Sequence, residues 1–176
     1  MAYNYVVSAR KQSGVACVAC CNFTGANDRN MIIVKSTRLE IHKITENSLE
    51  PFVDVPLNGE VQVMETLRLD GESQDVIFIC TVRMQYCLLG FDAAKNLIVT
   101  RASGSVKDRI GKEVDGGGLG IVDPSGRAIG LQLYEGFLKV IPVESGRLCD
   151  AVNIRMEEID VLDMVFLHGM PKPTIA

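Results

Sequence analysis

The sequence predicts an all-β fold, a partial β-propeller of about three and a half four-stranded blades. Two observations lead to this prediction. Short segments rich in Val, Ile, Leu and Thr recur between clusters of Gly, Asn, Asp and Pro, which is the pattern of β-sandwiches, barrels and propellers. The sequence also resembles itself at intervals of roughly 50 residues, which is the length of a propeller blade.

The expected strands follow from residue type and alternation. Residues 38–44 alternate polar and apolar side chains, as a strand with one solvated face requires. Residues 150–163 also fit a helical stripe, but Val152, Ile154 and Met156 alternate and the β-branched content is high, which favours a strand. The full set covers residues 3–9, 15–23, 31–35, 38–44, 49–55, 61–69, 76–82, 86–91, 97–102, 119–122, 128–133, 137–143, 152–156 and 159–167.

The internal repeat sets the blade units. Residues 60–71 align without gaps on residues 158–169, and the apolar positions match at most core sites. The predicted units are residues 1–58, 59–104, 116–157 and 158–176, the last of them truncated. Propellers close with about four to eight blades, so we expect this chain not to close alone and to end inside its fourth blade. The sequence has no Trp, so the fold is WD40-like without the WD signature.

Charge and cysteine content exclude several function classes. The formal net charge of -4 has the wrong sign for a domain that grips phosphates by bulk electrostatics. No apolar run approaches the roughly 18 residues that span a bilayer, so no membrane partner is expected. The amino-terminal residues lack the pattern of a secretory signal, so we expect an intracellular protein whose six cysteines are buried thiols.

Several segments together resemble the amino-terminal part of the DNA damage-binding protein 1 family. They are collinear from one end of the chain to the other, which makes the resemblance specific. They comprise residues 3–9 (YNYVVSA), 36–41 (STRLEI), 106–112 (VKDRIGK), 120–124 (GIVDP), 129–142 (IGLQLYEGFLKVIP) and 153–158 (NIRMEE). Members of that family have three propellers and a helical carboxy-terminal domain, so this chain would cover about half of the first propeller. Residues 3–9 would complete its last blade.

The resemblance implies a non-enzymatic adaptor, found in the nucleus and cytoplasm, that links the cullin-4 ubiquitin ligase to substrate receptors in DNA damage recognition and nucleotide excision repair. The family binds cullin-4 through its second propeller, outside these residues. Receptors insert a helical motif between the first and third propellers, and DNA is reached only indirectly, through a receptor. The remaining propellers of the family's longer chain would be further partners.

Two other functions stay open. The large polyadenylation specificity factor subunit and the splicing factor 3b propeller subunit share this superfamily, and a scaffold in pre-mRNA processing would associate with nucleic acid. The acidic balance and the match over residues 108–111 and 134–136 speak against it. A propeller hydrolase would need a metal or a carboxylate pair in its channel, and two histidines leave little material for a catalytic triad.

Glycine-rich and cysteine-rich motifs do not indicate a cofactor or a metal. Residues 104–113 space their glycines too widely for a phosphate loop, and residues 116–120 precede a strand where a dinucleotide turn would open a helix. Cys17 and Cys20 lie three apart on a strand, so they point to opposite faces, and no second pair completes a zinc site. We therefore expect no cofactor and no enzyme activity.

The connection of residues 103–118 is longer than the 4 to 6 residues that loops commonly have. It carries Asp108, Arg109, Lys112 and Glu113. It is either a mobile charged loop or a contact for a partner protein, in whose interfaces Arg is enriched. The family resemblance favours a protein-binding role for these four residues, with Arg109 and Lys112 as the main contacts.

Overall fold

A computed structural model of the chain describes residues 11, 13–109, 111–158 and 161–176. Within this part the structure is all-β and has no helix, as the strand pattern predicts. The strands are β1 (Cys17–Cys21), β2 (Asn30–Lys35), β3 (Arg38–Ile44), β4 (Leu49–Pro56), β5 (Val61–Arg68), β6 (Asp75–Thr81), β7 (Gln85–Asp92), β8 (Leu97–Ser105), β9 (Leu119–Val122), β10 (Ala128–Tyr134), β11 (Phe137–Glu144), β12 (Arg147–Leu148) and β13 (Val152–Arg155).

The strands form three antiparallel sheets, each built from consecutive segments of the chain. Blade 1 has the order β1-β2-β3-β4 and blade 2 the order β5-β6-β7-β8. In blade 3, β9, β10 and β11 are neighbours, and both β12 and β13 pair with β11. Three such sheets make the partial propeller that the repeat predicts, whereas the boundaries between blade units stay a prediction. The short strand β12 is not predicted from the sequence.

The blades pack face to face through buried side chains, because each strand alternates its side chains between two faces. Ile32 and Ile41 of blade 1 meet Ile77 and Ile79 of blade 2 in one apolar cluster. A second cluster joins the opposite face of blade 2 to blade 3; its members include Phe78, Ile129 and Leu131. The first strands of the blades lie side by side, and Glu65 of β5 approaches Gly120 of β9.

A polar contact fastens blade 1 to blade 2 at the start of β6. The Asp75 carboxylate accepts a hydrogen bond from the backbone N–H of Asn22 at 2.7 Å and pairs with Arg68 Nε at 2.8 Å. The Asp75 N–H donates to the carbonyl of Asn22 at 2.9 Å. Gly126, in a turn of blade 3, lies against the carbonyl oxygen of Arg68. Three blades therefore meet around the end of β5.

A similar contact joins blade 3 to the last residues of the chain. Arg127 Nε lies 2.8 Å from a carboxylate oxygen of Asp123, whose side chain is fully buried. The same guanidinium donates to the carbonyls of Met170 and Pro171 at 3.2 and 3.0 Å. This ion pair, together with its hydrogen bonds, holds residues 170–171 against blade 3.

Two predictions about strands need comment. The predicted strand 159–167 is wrong in its described part, since residues 161–165 have no regular structure. A strand requires a partner along its length, and here pairing begins only at the end of the predicted strand. Val165 and Ala176 exchange two backbone hydrogen bonds at 3.2 and 3.0 Å, Phe166 forms a bridge with Ile175, and the Leu167 N–H donates to the Thr174 carbonyl at 2.8 Å. The predicted strand 3–9 lies outside the described residues.

All six cysteines are free thiols in the structure, as predicted, but they are not all buried. Cys80 is buried in the second blade, whereas Cys20 is exposed. The reason is the alternation of β1, in which Val18 and Cys20 point to the side away from blade 2. The prediction that Cys20 is a buried thiol is therefore wrong.

Candidate functional site

The long connection between blades 2 and 3 is shorter in the structure than in the sequence-based prediction. Residues 103–105 continue β8, so the connection covers residues 106–118. It begins with Val106, which is buried in the cluster between blades 2 and 3 and donates its N–H to the carbonyl of Met84 at 2.9 Å. The connection is therefore anchored to the core at its first residue.

Asp108 points toward blade 3. Its backbone N–H donates to the hydroxyl oxygen of Tyr134 at 2.9 Å. Its carboxylate accepts from Lys139 Nζ at 3.3 Å and from Asn153 Nδ2 at 3.0 Å. Lys139 also donates to the Asn153 amide oxygen at 2.7 Å, and its ammonium lies 5.7 Å from the centre of the Tyr134 ring. Asp108 thus fixes the connection to β10, β11 and β13.

A second anchor lies four residues further on. Lys112 Nζ pairs with Glu135 Oε1 at 2.6 Å and with Asp115 at 3.6 Å, and the hydrogen bond to Glu135 is the main cause of its raised pKa. Backbone hydrogen bonds run from the Glu135 N–H to the Lys112 carbonyl and from the Val114 N–H to the Leu133 carbonyl, at 2.9 and 3.2 Å. Glu113 forms a backbone bridge with Tyr134, and its side chain is exposed.

Arg109 lies between the two anchors and is exposed. In the described part of the chain, its guanidinium has no ion-pair partner. The structure thus brings the four predicted residues onto one connection but gives them different environments. Asp108 is bound to side chains of blade 3, Lys112 is paired at the surface, and Arg109 and Glu113 carry charges that face solvent.

The partners of this connection are not among the sequence-predicted site residues. They are Tyr134, Glu135, Lys139 and Asn153, which lie 23 to 45 positions away from the residues of the connection that they bind. One signal could have pointed to them: Lys139 interrupts the apolar run of residues 137–143 in β11, and it lies opposite Leu131 in the β10–β11 register. A lysine at such a position requires a counter-charge, which the long connection supplies.

Two clefts flank the turn at Glu135 and Gly136. One, of about 460 Å³, lies between the connection and the segment that contains Val161 and Leu162, and the other, of about 940 Å³, lies beside Phe137 and Met156. Leu162 is 93% exposed and Phe137 is 39% exposed. This end of blade 3 therefore combines exposed apolar side chains with charges of both signs, a composition common in protein interfaces.

Other candidate sites have weaker support. Among the residues that the structure describes, no group of three or more His, Cys, Asp or Glu side chains is arranged to hold a metal ion. His42 lies in β3 with its Nε2 atom 3.4 Å from the Glu40 carboxylate, and His168 is exposed in a turn. No helix in the described part could cross a membrane.

Comparison with known proteins identifies the family. A family model described as the RSE1/DDB1/CPSF1 first β-propeller matches residues 14–176. The chain belongs to this family. Among its relatives, DNA damage-binding protein 1 of Solanum lycopersicum is 49% identical over 174 residues, and that of Oryza sativa is 48% identical over 174 residues. DNA damage-binding protein 1a of Arabidopsis thaliana is 47% identical over 175 residues.

These alignments cover nearly all of the chain but little of the relatives. They include 98% or 99% of the present chain and 16% of each relative. The family assignment confirms the resemblance drawn from the motifs at residues 106–112 and 129–142. It also accounts for the sheets without a Trp-Asp signature, since the match is to a particular propeller family.

Proposed function

We propose that this chain is a non-enzymatic scaffold module that binds other proteins through the end of blade 3. The observation that carries the proposal is the family match over residues 14–176. The surface at the end of blade 3, with exposed apolar side chains beside charges of both signs, supports it, because that composition suits a protein partner.

The relatives suggest a more specific role. They are named DNA damage-binding protein 1, and we propose that the chain likewise acts in DNA damage recognition and repair, as part of an adaptor between the cullin-4 ubiquitin ligase and substrate receptors. Receptors would bind through a helical motif, and cullin-4 would bind a region outside this chain. Such a role would place the protein in the nucleus and the cytoplasm, with DNA reached through a receptor.

Arg109 is the residue we propose as the principal receptor contact. It is exposed, it has no ion-pair partner in the described residues, and its backbone is held by anchors on both sides. Because the backbone is held, only the Arg109 side chain remains to be ordered when a partner binds, and its guanidinium can offer several hydrogen-bond donors. Lys112 would add a weaker, solvent-screened contact, because it is already paired with Glu135.

The test uses a chimaera in which this chain replaces the matching part of the tomato relative. Binding of a fluorescent peptide that contains a receptor's helical motif is compared for the unchanged chimaera and for Arg109→Glu combined with Lys112→Glu. We expect a loss of about 1–3 kcal/mol if Arg109 is buried in the complex. Cullin-4 binding should not change.

Arg147→Glu is the matched control. Arg147 is also an exposed arginine of blade 3, but it pairs opposite Glu144, at the other end of β11 from Phe137. Its reversal should leave peptide binding unchanged. If the doubly reversed chimaera keeps its affinity for the motifs of several different receptors, the connection is only a solvated link and the proposed site is wrong.

A scaffold in pre-mRNA processing is the second candidate, because the family model also includes RSE1 and CPSF1. The relatives at 47–49% identity that carry the name DNA damage-binding protein 1 favour the first candidate. Direct binding of single-stranded RNA by the chain, with a strong salt dependence, would support the second.

A further inference from the structure

Lys139 is the one buried cation among the described residues. It is 6% exposed, and it lies in β11 opposite Leu131 on one side and Asn153 on the other. An ammonium group taken out of water is costly unless opposite charge and hydrogen-bond acceptors surround it. The groups that meet Lys139 should therefore be held tightly in place.

Three groups meet this ammonium. The Asn153 amide oxygen lies at 2.7 Å, an Asp108 carboxylate oxygen at 3.3 Å, and the Tyr134 ring centre at 5.7 Å. Of these, Asp108 alone is negatively charged, and it alone belongs to the connection between blades 2 and 3. Any movement that lifts the connection would leave Lys139 without its counter-charge.

Asp108 is also held by contacts that do not involve Lys139. Its backbone N–H donates to the Tyr134 hydroxyl oxygen at 2.9 Å, and its carboxylate accepts from Asn153 Nδ2 at 3.0 Å. Backbone and side chain are therefore both fixed at the residue that directly precedes Arg109. The position and direction of the Arg109 backbone follow from those of Asp108.

We propose that Lys139 is a positioning residue, which, with Tyr134 and Asn153, locks the connection through Asp108 and so presents Arg109 to a protein partner. The role of Arg109 rests on the proposed function, whereas the lock itself is a property of the chain alone. A preformed contact residue binds more tightly, because less ordering remains to be done when the partner arrives.

The lock is tested first on the 176-residue chain, without any partner, by amide hydrogen exchange. Lys139→Met removes the ammonium but keeps a long apolar side chain. We expect exchange of residues 107–114 to become faster by about tenfold or more, while exchange in β6 stays as it was. Lys107→Met is the matched control, because it removes an exposed lysine of the same connection whose ammonium has no ion-pair partner among the described residues, and it should change exchange by less than about twofold.

Tyr134→Phe is a second, milder variant. It deletes the hydroxyl that accepts from Asp108 and keeps the ring against Lys139, so the blade should fold normally. Exchange of residues 107–114 should again rise, by a smaller factor. If Lys139→Met accelerates exchange throughout the chain, that variant is destabilised as a whole. The exchange of residues 107–114 in Tyr134→Phe then tests the proposal by itself. Unchanged exchange of the connection in Tyr134→Phe and in any folded Lys139→Met protein would overturn the lock.

The consequence for binding is measured with the chimaera and the receptor peptide. Lys139→Met should weaken binding by about three- to tenfold. Arg109→Glu should then reduce the affinity by a smaller factor in the Lys139→Met background than in the unchanged chimaera, because an Arg109 that is no longer held in position already contributes less to binding. Independent, additive effects would contradict the positioning role. If exchange rises but neither variant alters binding, the lock stands and the proposed contact at Arg109 is wrong.

Discussion

Substituting alanine for Gly126 is expected to destabilise the protein in two ways: it strains the turn that contains Gly126, and it disturbs the contact between blades 2 and 3. Gly126 has a φ of +68° and donates its N–H to the Asp123 carbonyl at 2.7 Å, which closes the turn. A Cβ atom at this position would lie 2.2 Å from the carbonyl oxygen of Arg68. That oxygen belongs to the backbone of β5, so the clash cannot be relieved by rotating a side chain.

The expected loss in the free energy of unfolding has two parts. An alanine in the left-handed conformation costs about 1–2 kcal/mol relative to glycine. Forcing atoms into a packed contact costs about 1–3 kcal/mol more. The free energy of unfolding should therefore fall by about 2–5 kcal/mol in Gly126→Ala, which is a large part of the stability of a typical domain.

Gly71→Ala is the matched control. Gly71 also has a positive φ, of +77°, but a Cβ added there would meet nothing within 4 Å. Only the conformational cost of about 1–2 kcal/mol applies to it. Urea unfolding of the three proteins, followed by far-ultraviolet circular dichroism, gives the two differences. If Gly126→Ala loses no more stability than Gly71→Ala, blade 3 does not press on the end of β5 as described.

Two further predictions concern titration and thiol chemistry. Burial raises the pKa of Glu65 from 4.5 to about 7, so between these pH values the folded protein holds a proton that the unfolded chain releases. The free energy of unfolding should therefore decline as the pH rises from about 4.5 to about 7. Glu65→Gln should flatten that decline in urea unfolding measured across this pH range, and an unchanged slope in the variant would contradict the raised pKa. Iodoacetamide should alkylate the exposed Cys20 first, and mass spectrometry should find Cys80 modified last, because burial raises the pKa of Cys80 to about 12. Equal rates at the two cysteines would show that blade 2 opens readily.

Much of the fold follows from local pattern. The predicted limits of residues 38–44 and 119–122 coincide with β3 and β9, because alternation and flanking turn residues act within a few positions. The repeat predicts stacked four-stranded sheets for the same reason, since each unit carries its own strands and turns. The family resemblance follows from short motifs that the sequence itself displays.

Residues 161–165 and Cys20 show where local pattern fails. Residues 161–165 have the composition of a strand, but a strand forms only with a partner along its length. Cys20 has apolar neighbours in sequence, but it is exposed because its face of β1 turns away from blade 2. In both cases the outcome depends on whether another part of the chain packs against the residue. The alternation of polar and apolar residues does not contain that information.

The properties of the candidate site also divide into those set by the local sequence and those set by tertiary contacts. The sequence by itself determines that charged residues occupy a long connection after β8 and that Arg109 follows Asp108. Only the tertiary structure decides that Asp108 turns inward while Arg109 faces solvent, because Asp108 binds Lys139 and Asn153, which are 31 and 45 positions away. Burial of an ammonium group is a property of packed sheets, and its need for a counter-charge selects which acidic residue becomes part of the fold.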